Sequence, residues 1–430
     1  MARSPRRPRI VPALLADNRE FRSFWTGQAI SLFGDQITLL ALPLLAVLLL
    51  HAGPKEMGYL TAAGLIPNLF FALHAGAWVD RRGRRRQMMI WADLGRGALL
   101  LTIPAAAAAG RLTLAQCYAV AFLVGTLSVV FNVCYGALFV SLVPRRRYVE
   151  GNTLLHGSRA FSFVGGPSLS GVLVQWFSAP FAIAADAVSF LASAFFPGRI
   201  SPAEPPADPG GRGQVAAGAR FIMRTPIIRA SLAWGATCNF FNLMFSALFV
   251  LYATRALGIR PATLGAVLGA GAVGAVLGSA VTGRIAKRIG IGPTYILGCV
   301  LFPAPLVLVP AASGPAWVVL ALLFAARFGS GLGVMVLDIS IASIFAALIP
   351  HQLRSRVSGA FTVVNYGVRP LGSLAGGLLG SAAGLRPTLW IASVAAIAGV
   401  LWLIWSPLPR LRTLDGPGAA PGGEIEGAKF

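Results

Sequence analysis

Apolar residues along this chain come in blocks of about twenty, separated by short stretches that contain Gly, Pro and Arg. A helix of about that length crosses a hydrocarbon core of roughly 30 Å. The pattern therefore predicts an all-α membrane protein with twelve transmembrane helices. The predicted spans are 24–50, 57–79, 87–109, 113–143, 156–177 and 180–198 in the first half, and 228–253, 262–284, 292–312, 316–348, 357–382 and 387–406 in the second.

The segments between the apolar blocks divide the chain further. Stretches rich in Pro, Gly and Arg favour solvent-exposed linkers and disordered ends over packed structure. We expect five regions: an N-terminal cytoplasmic segment 1–23, a six-helix bundle 24–198, a cytoplasmic linker 199–227, a second six-helix bundle 228–406, and a disordered cytoplasmic tail 407–430.

Composition and charge agree with a lipid environment. Of the residues, 56% are hydrophobic and 12% charged, with a mean hydropathy of +0.73 and a formal net charge of +22. A nucleic-acid-binding protein would gather its basic residues on one folded face, but here they lie between apolar blocks. With both termini on one side, 27 Lys and Arg fall on that side and 5 on the other. This bias predicts cytoplasmic termini in a bacterial inner membrane.

Few residues suit enzymatic or metal chemistry. The four cysteines lie inside apolar blocks and the four histidines are scattered, so we expect no metal centre, no cofactor and no catalytic residues. An intramembrane enzyme would need a nucleophile with a base in reach, yet His74 and Asp80 have no second group beside them. A sensor is disfavoured because the linker and tail are too short for a signalling domain. A phosphate-binding Gly-x-x-x-x-Gly-Lys-Ser/Thr loop is absent, so an ion gradient is the expected energy source.

The two halves of the sequence show a weak internal repeat. At an offset of about 207 residues, Gly76 and Gly83 fall on Gly283 and Gly290, and Pro167 has a counterpart in Pro370. Duplicated six-helix bundles place a cavity at the interface of the halves and move by alternating access. The repeat thus predicts a transporter.

The segment after the second span carries the most specific motif, Gly76-x-x-x-Asp80-Arg81-x-Gly83-Arg84-Arg85. It resembles the loop signature of the major facilitator superfamily, in which it looks like a latch for one conformational state. Gly76 would let helices approach closely, and Asp80 could pair with an arginine or cap a helix. A solvated basic turn that only anchors the topology is the alternative.

Further stretches resemble the superfamily branch that contains bacterial siderophore exporters and macrolide-type drug efflux pumps. This resemblance implies two pseudo-symmetric six-helix bundles around a central cavity, without a cofactor, and proton-coupled transport. It is carried by Phe24-Trp-Thr-Gly-Gln28, Gly34-Asp35, Asp93-x-x-Arg96, Asp186-Ala-Val-Ser-Phe190 and Arg369-Pro370-Leu-Gly372.

Prolines and glycines predict a bend in span 5. Pro167 removes a backbone hydrogen bond and its neighbouring glycines permit close packing. The motif, with Pro370 as its counterpart in span 11, is similar to that of superfamily antiporters, although Ser168-Leu-Ser170 departs from the fuller glycine pattern. A kinked packing helix without a coupling role is the alternative. The motif consists of Gly165, Gly166, Pro167 and Gly171.

Ionisable residues within the spans are the coupling candidates, because charges at bilayer depth are costly. Asp35 lies eleven residues into span 1, about 16 Å deep at 1.5 Å per residue. Burial disfavours the charged carboxylate, so Asp35 is the first candidate for a proton carrier, unless it is permanently paired with an arginine. Asp338 is the second candidate. The remaining intramembrane charges are Asp93 and Arg96, which are three apart and able to pair, Asp186, and Arg327 and Arg369, which would face an anionic substrate or balance Asp35.

Polar and aromatic residues within the spans could line a cavity. The resemblance implies that spans 1, 4, 7 and 10 face it, whereas hydrogen bonds between helices would satisfy the same amides. With few ionisable groups, the cavity should be mostly apolar and suit an amphipathic, drug-like or siderophore-like molecule better than a sugar. The candidates are Gln28, Gln36, Asn132, Tyr135, Asn239, Asn242 and Asn365.

Together these features predict a proton-coupled exporter of amphipathic small molecules such as drugs, siderophores or other secondary metabolites. Its partners would be the substrate, protons and the lipid bilayer, and a monomer would suffice. Ion-coupled uptake of a small nutrient is the alternative, and a membrane enzyme or sensor is a remote one.

Overall fold

The protein is seen in a computed structural model that describes residues 12–200 and 214–413. Within these residues the chain is helical nearly throughout. The helices of the first half are α1 (Ala13–Asp17), α2 (Arg19–Leu48), α3 (Pro54–Arg82), α4 (Arg85–Ala108), α5 (Leu114–Leu142), α6 (Tyr148–Trp176) and α7 (Ala179–Phe195). Those of the second half are α8 (Gln214–Arg224), α9 (Pro226–Leu251), α10 (Pro261–Ile289), α11 (Ile291–Leu301), α12 (Leu308–Ala311), α13 (Ala316–Leu348), α14 (Arg354–Ala382), α15 (Leu385–Ala398) and α16 (Leu401–Ile404).

The predicted spans coincide with these helices to within a few residues at most ends. Of the described helical segments, eight are long and apolar enough to cross a membrane by those two criteria alone. The other four predicted spans correspond to α3, α4, α6 and α14, which have 24 to 29 residues and more polar or charged positions. The all-α membrane fold is confirmed.

Helix starts follow ordinary capping chemistry. Asn18, Thr113 and Ser178 precede α2, α5 and α7, and each side-chain oxygen accepts a hydrogen bond from the backbone N–H three residues on. Such caps satisfy one of the free N–H groups at a helix start and typically stabilise the helix by about 1 kcal/mol. The cap residues therefore fix where these three spans begin.

The described chain forms two compact units by its internal contacts. Of the described residues, one unit contains 12–50 and 66–200, and the other contains 51–65 and 214–413. Helix α3 is shared between them, because its first turns pack on α14 within the second unit. There a Cβ atom on Gly58 would lie 2.8 Å from the Cα of Gly377, so the two helices cross backbone to backbone.

The structure repeats itself across the two halves. Helices α3 and α10 each have 29 residues and start 207 positions apart, and α6 and α14 each have 29 residues and start 206 apart. Packing repeats as well: α2 packs on α6 and α7 as α9 packs on α14 and α15, and α4 packs on α5 as α11 packs on α13. This correspondence agrees with the duplication that the sequence predicts.

Two of the predicted spans are interrupted, one of them by prolines. The span predicted as 292–312 divides after Leu301, where Pro303 and Pro305 lead into a 3-10 turn at Ala304–Val307. Proline lacks the N–H that a continuous helix requires at each step. The span predicted as 387–406 also divides, into α15 and α16, around Gly399.

Two segments outside the predicted spans are ordered. Helix α8 lies within the predicted linker and packs on α14, where Gly218 abuts the backbone of Arg356. The prediction of a disordered tail from residue 407 is wrong for its first residues: Leu408 and Leu411 are buried, and the carbonyl of Leu411 accepts a hydrogen bond from Gly292 at 2.8 Å. Burial of these leucines against α11 holds the segment. Residues 201–213 of the linker and 414–430 of the tail lie outside the described residues.

Candidate functional site

The first unit encloses a cavity of about 380 Å³ between α2, α4, α5 and α6. Its lining mixes aromatic rings with amides, a carboxylate and two arginines. All the cavity-lining residues predicted in the first half are among them, as is Asp35. The lining consists of Gln28, Leu32, Asp35, Gln36, Arg96, Ser128, Phe131, Asn132, Tyr135, Gly136, Phe139, Asn152, Leu155, His156, Arg159 and Phe163.

Arg96 lies at the centre of the charged groups. Its Nη2 is in direct contact with Oδ1 of Asp93, whereas its Nη1 is 3.9 Å from Oδ1 of Asp35. The side chains of Asp93 and Arg96 are 0% and 2% exposed, but that of Asp35 is 42% exposed. The pairing of Asp93 with Arg96 agrees with their three-residue spacing. Asp35 is thus the loosely held and accessible carboxylate of the two.

Two aromatic rings fix the position of the Arg96 guanidinium. Its central carbon lies 4.2 Å from the ring centroids of both Phe131 and Phe190. Rings at this distance attract a cation through their π-electrons. The guanidinium cannot move toward another partner without losing these two contacts.

Asp93 has a second partner on α7. The hydroxyl of Ser193 donates a hydrogen bond of 2.8 Å to Oδ2 of Asp93. Because a buried carboxylate is costly unless it is paired and hydrogen-bonded, this bond and the arginine together offset the burial of Asp93. Helices α4 and α7 are joined at this point.

Asp186 on α7 is close to this cluster without a hydrogen bond to an arginine among the described contacts. It is fully buried and accepts a hydrogen bond of 3.0 Å from Ser189. Its carboxylate abuts Gly34, the residue before Asp35, and it interacts electrostatically with Asp35. Asp93 and Asp35 thus share Arg96, and Asp186 is a third carboxylate beside Asp35.

The glycine–proline segment of α6 packs on the turn of α2 that bears Asp35. Gly165 faces the ring of Phe33, and Gly166 is pressed against Gln36. The hydroxyl of Ser170 donates a hydrogen bond of 2.8 Å to the backbone carbonyl of Ile37. Pro167 lies within the continuous α6 and Pro370 within α14, and both are buried. Any movement of α6 in this segment would therefore displace the turn of α2 around Asp35.

Sequence reasoning missed a polar stripe on α6. Asn152, His156, Arg159 and Phe163 all line the cavity. Their spacing of four, three and four residues places them on one face of a helix, and this spacing was the signal that could have found them. Arg159 brings a second positive charge into the cavity that contains Asp35.

Aromatic side chains contribute to the lining of the cavity, which includes Tyr135 and Phe131. The ring of Tyr135 stacks on that of the buried Phe24 with centroids 5.2 Å apart and an interplanar angle of 16°. Phe131 continues the stack at 6.4 Å and 15°. Aromatic rings next to amides and charges suit an amphipathic molecule.

Amides and an arginine also meet in the second unit, between α9 and α14. The Nε atom of Arg369 donates a hydrogen bond of 2.9 Å to Oδ1 of Asn239, and Nδ2 of Asn239 donates one of 3.0 Å to Oδ1 of Asn365. Among the described residues, Asn242 makes no hydrogen bond to this network. Asn239 and Asn365 therefore follow the alternative given above, in which hydrogen bonds between helices satisfy the amides.

Two further predicted charges of the second unit, Arg327 and Asp338, form no ion pair among the described residues. Arg327 lies over the ring of Phe249 at 3.9 Å and that of Phe245 at 5.7 Å. Asp338 is exposed on α13, without a recorded hydrogen bond or ion pair in the described part of the chain. Neither residue lines the cavity that contains Asp35.

The predicted latch is described in part, since the side chain of Asp80 lies outside the described residues. Gly83 ends α3 with a φ of +63°, a conformation that favours glycine. Among the described residues, a Cβ atom on Gly76 would meet nothing within 4 Å, so its role in close helix packing stays a prediction. Arg81 and Arg84 are exposed, whereas Arg85 is buried.

A family model described as transmembrane secretion effector matches residues 14–421, which is nearly the whole chain. The chain belongs to this family of the major facilitator superfamily. As a member of that superfamily it is a multi-pass membrane transporter rather than an enzyme.

Relatives of this transporter cover nearly its full length. It is 27% identical over 411 residues to the multidrug efflux pump Tap of Mycolicibacterium fortuitum, which covers 89% of this chain and 94% of the relative. It is also 27% identical over 424 residues to the pump of the same name from Mycobacterium tuberculosis, covering 91% and 93%.

Solved structures share the fold of this superfamily member. A bacterial homologue of the iron transporter ferroportin matches with a TM-score of 0.72 and 16% identity, covering 90% of this chain and 98% of that one. A bacterial metal transporter matches with a TM-score of 0.67 and 16% identity, again covering 90% and 98%. At these identities the likeness concerns the fold alone.

Proposed function

We propose that this transporter exports amphipathic small molecules in exchange for protons, with Asp35 as the proton carrier and the cavity of the first unit as part of the substrate site. The observation that carries the proposal is the accessible carboxylate of Asp35 in a cavity lined by aromatic rings and amides. The efflux pumps to which the chain is similar support the direction of transport.

Asp35 is favoured as carrier over its neighbours by its contacts. Asp93 is sealed from the cavity by Arg96 and Ser193, so a proton there would have to break two close interactions. Asp35 has only the longer 3.9 Å approach to Arg96 and an open path to the cavity. A carrier must exchange protons with water during each cycle, and Asp35 meets this requirement.

Coupling follows from the link between Asp35 and helix packing. Protonation of Asp35 removes its attraction to Arg96 and so loosens α2 from α4. The same turn of α2 contacts the glycine–proline segment of α6 through Phe33 and Gln36. A change in charge at Asp35 is thereby passed to a helix that proline and glycine allow to bend.

The orientation and assembly are part of the same proposal. The bias of Lys and Arg toward one side supports cytoplasmic termini in a bacterial inner membrane, and a cavity within one chain supports a monomer as the working unit. We treat uptake of a nutrient as the competing function and Asp338 as the competing proton carrier.

Everted membrane vesicles with an acidic interior test the proposal. Macrolides, tetracyclines and siderophores are added while a pH-sensitive dye reports the gradient. We expect wild-type vesicles to lose part of the gradient with at least one compound. The Asp35→Asn variant should lose this response, whereas the matched Asp338→Asn variant should keep it.

Two results of this experiment would contradict different parts of the proposal. A response that survives Asp35→Asn but not Asp338→Asn would move the carrier to α13. No response to any compound, together with counterflow of a nutrient, would refute export.

A further inference from the structure

Arg369 in the second unit has hydrogen-bonding capacity that the protein does not use. Its Nε is bound by Asn239, and its guanidinium carbon lies 4.2 Å from the ring centroid of Tyr366. Among the described contacts, no hydrogen bond or ion pair engages its Nη1 and Nη2 atoms. Among the described residues, neither atom is a buried nitrogen that lacks a partner, and the Arg369 side chain is half-buried.

The amide network orients this arginine without neutralising it. Nδ2 of Asn239 also donates to the carbonyl of Gly235 at 2.9 Å, and Nδ2 of Asn365 donates to the carbonyl of Phe361 at 2.9 Å. These bonds leave the oxygen of Asn239 facing Arg369. An aspartate would hold the guanidinium equally well and cancel its charge, but the chain has an amide here.

The other arginines at bilayer depth are less suited to a negatively charged ligand. Arg96 is already shared by Asp93 and Asp35, and Arg159 lines the cavity that contains Asp35. Arg327 lies over a phenylalanine ring, and its Nε is buried without a partner. Arg369 alone among these four combines a free edge, a fixed orientation and a neutral partner.

We propose that Arg369 forms a subsite for the anionic group of a substrate, a carboxylate or comparable monoanion on an aromatic framework. The Nη1–Nη2 edge of a guanidinium matches the two oxygens of a carboxylate. The ring of Tyr366, which is 37% exposed, provides an aromatic surface beside that edge. The inference deepens the proposed function by naming a substrate class, and it rests on that function only in taking the anion to be part of a transported molecule.

Binding of a matched pair of fluorescent probes to the purified transporter in nanodiscs tests the subsite. Dansylglycine carries a carboxylate next to a naphthalene ring, and dansylglycinamide replaces it with an uncharged amide. We expect wild-type protein to bind the acid roughly tenfold or more tightly than the amide, because charge-assisted hydrogen bonds to an arginine contribute about that much to affinity. Arg369→Gln should weaken the acid to the level of the amide and leave the amide unchanged.

Two variants guard against simple misfolding. Arg369→Lys keeps the charge but not the paired edge, and it should retain part of the preference. Asn239→Asp keeps the arginine but gives it an internal carboxylate, and it should remove the preference. Arg284→Gln is the matched control, an exposed arginine of the second unit that donates a hydrogen bond to the carbonyl of Ala280 and lies outside both proposed sites, and it should keep the preference.

Equal affinities of the wild-type protein for both probes, including binding of neither, would overturn the subsite. So would a preference lost in Arg284→Gln but kept in Arg369→Gln, or equal weakening of both probes by Arg369→Gln. Proton flux driven by an uncharged substrate reports separately on the proposed function. If the preference depends on Arg369 but no substrate moves protons, proton-coupled export fails while the anion subsite stands.

Discussion

Removing the Arg96 side chain should expose how strongly the first unit depends on its charged cluster. In Arg96→Met, Asp93 stays fully buried with only the Ser193 hydrogen bond, because the direct arginine contact is gone. Breaking a buried ion pair by removing one partner costs about 3–5 kcal/mol. The loss at Asp35 adds little, since that side chain is 42% exposed and its approach to Arg96 is long.

Methionine recovers a fraction of this loss. Its sulfur can pack between the rings of Phe131 and Phe190, where such contacts are worth about 0.3–1.5 kcal/mol each. We therefore expect Arg96→Met to lower the free energy of unfolding by about 2–4 kcal/mol. The double variant Asp93→Asn/Arg96→Met buries no charge at this position and should be destabilised by clearly less than the single variant.

Equilibrium unfolding in mixed detergent micelles, followed by tryptophan fluorescence, measures both values. Ser193→Ala is the companion variant and should cost about 1–3 kcal/mol, because Asp93 keeps its arginine. Loss of less than about 1 kcal/mol in Arg96→Met, or equal losses in the single and double variants, would refute the reasoning that a buried unpaired carboxylate dominates.

Three further predictions concern packing. Gly34→Ala places a methyl group on the side chains of α7 and should cost about 1–3 kcal/mol, while Gly136→Ala, which meets nothing within 4 Å, should not destabilise the protein in the same unfolding assay. Gly58→Leu should separate α3 from α14 at Gly377 and abolish transport in vesicles; unchanged transport would contradict a backbone crossing there. N-Ethylmaleimide should label none of the four buried cysteines before denaturation, as judged by mass spectrometry: Cys117, Cys134, Cys238 and Cys299.

The helical fold was predictable because lipid imposes a simple rule on the sequence. Apolar blocks of sufficient length, separated by Gly, Pro and Arg, mark the spans. The pairing of Asp93 with Arg96 follows from residue counting along a helix. These features depend on local sequence alone.

Features that depend on contacts between distant segments were not predictable. Helix α8 has only 11 residues and follows a Pro- and Gly-rich stretch, so its packing on α14 was not apparent from the sequence. The burial of Leu408 against the start of α11 and the position of Asp186 beside Gly34 likewise arise from tertiary contacts. The break in the helix at Pro303 is different, because three prolines within eight residues were a signal for it in the sequence.

The measurement that tests the central claim most directly compares two transport modes in reconstituted vesicles. An exported substrate is followed once as exchange at equal pH and once as uphill accumulation driven by a pH gradient. If Asp35 carries the proton, Asp35→Asn should keep exchange, since a neutral side chain mimics the protonated state, and lose accumulation. Accumulation by the variant at the wild-type level would contradict the account.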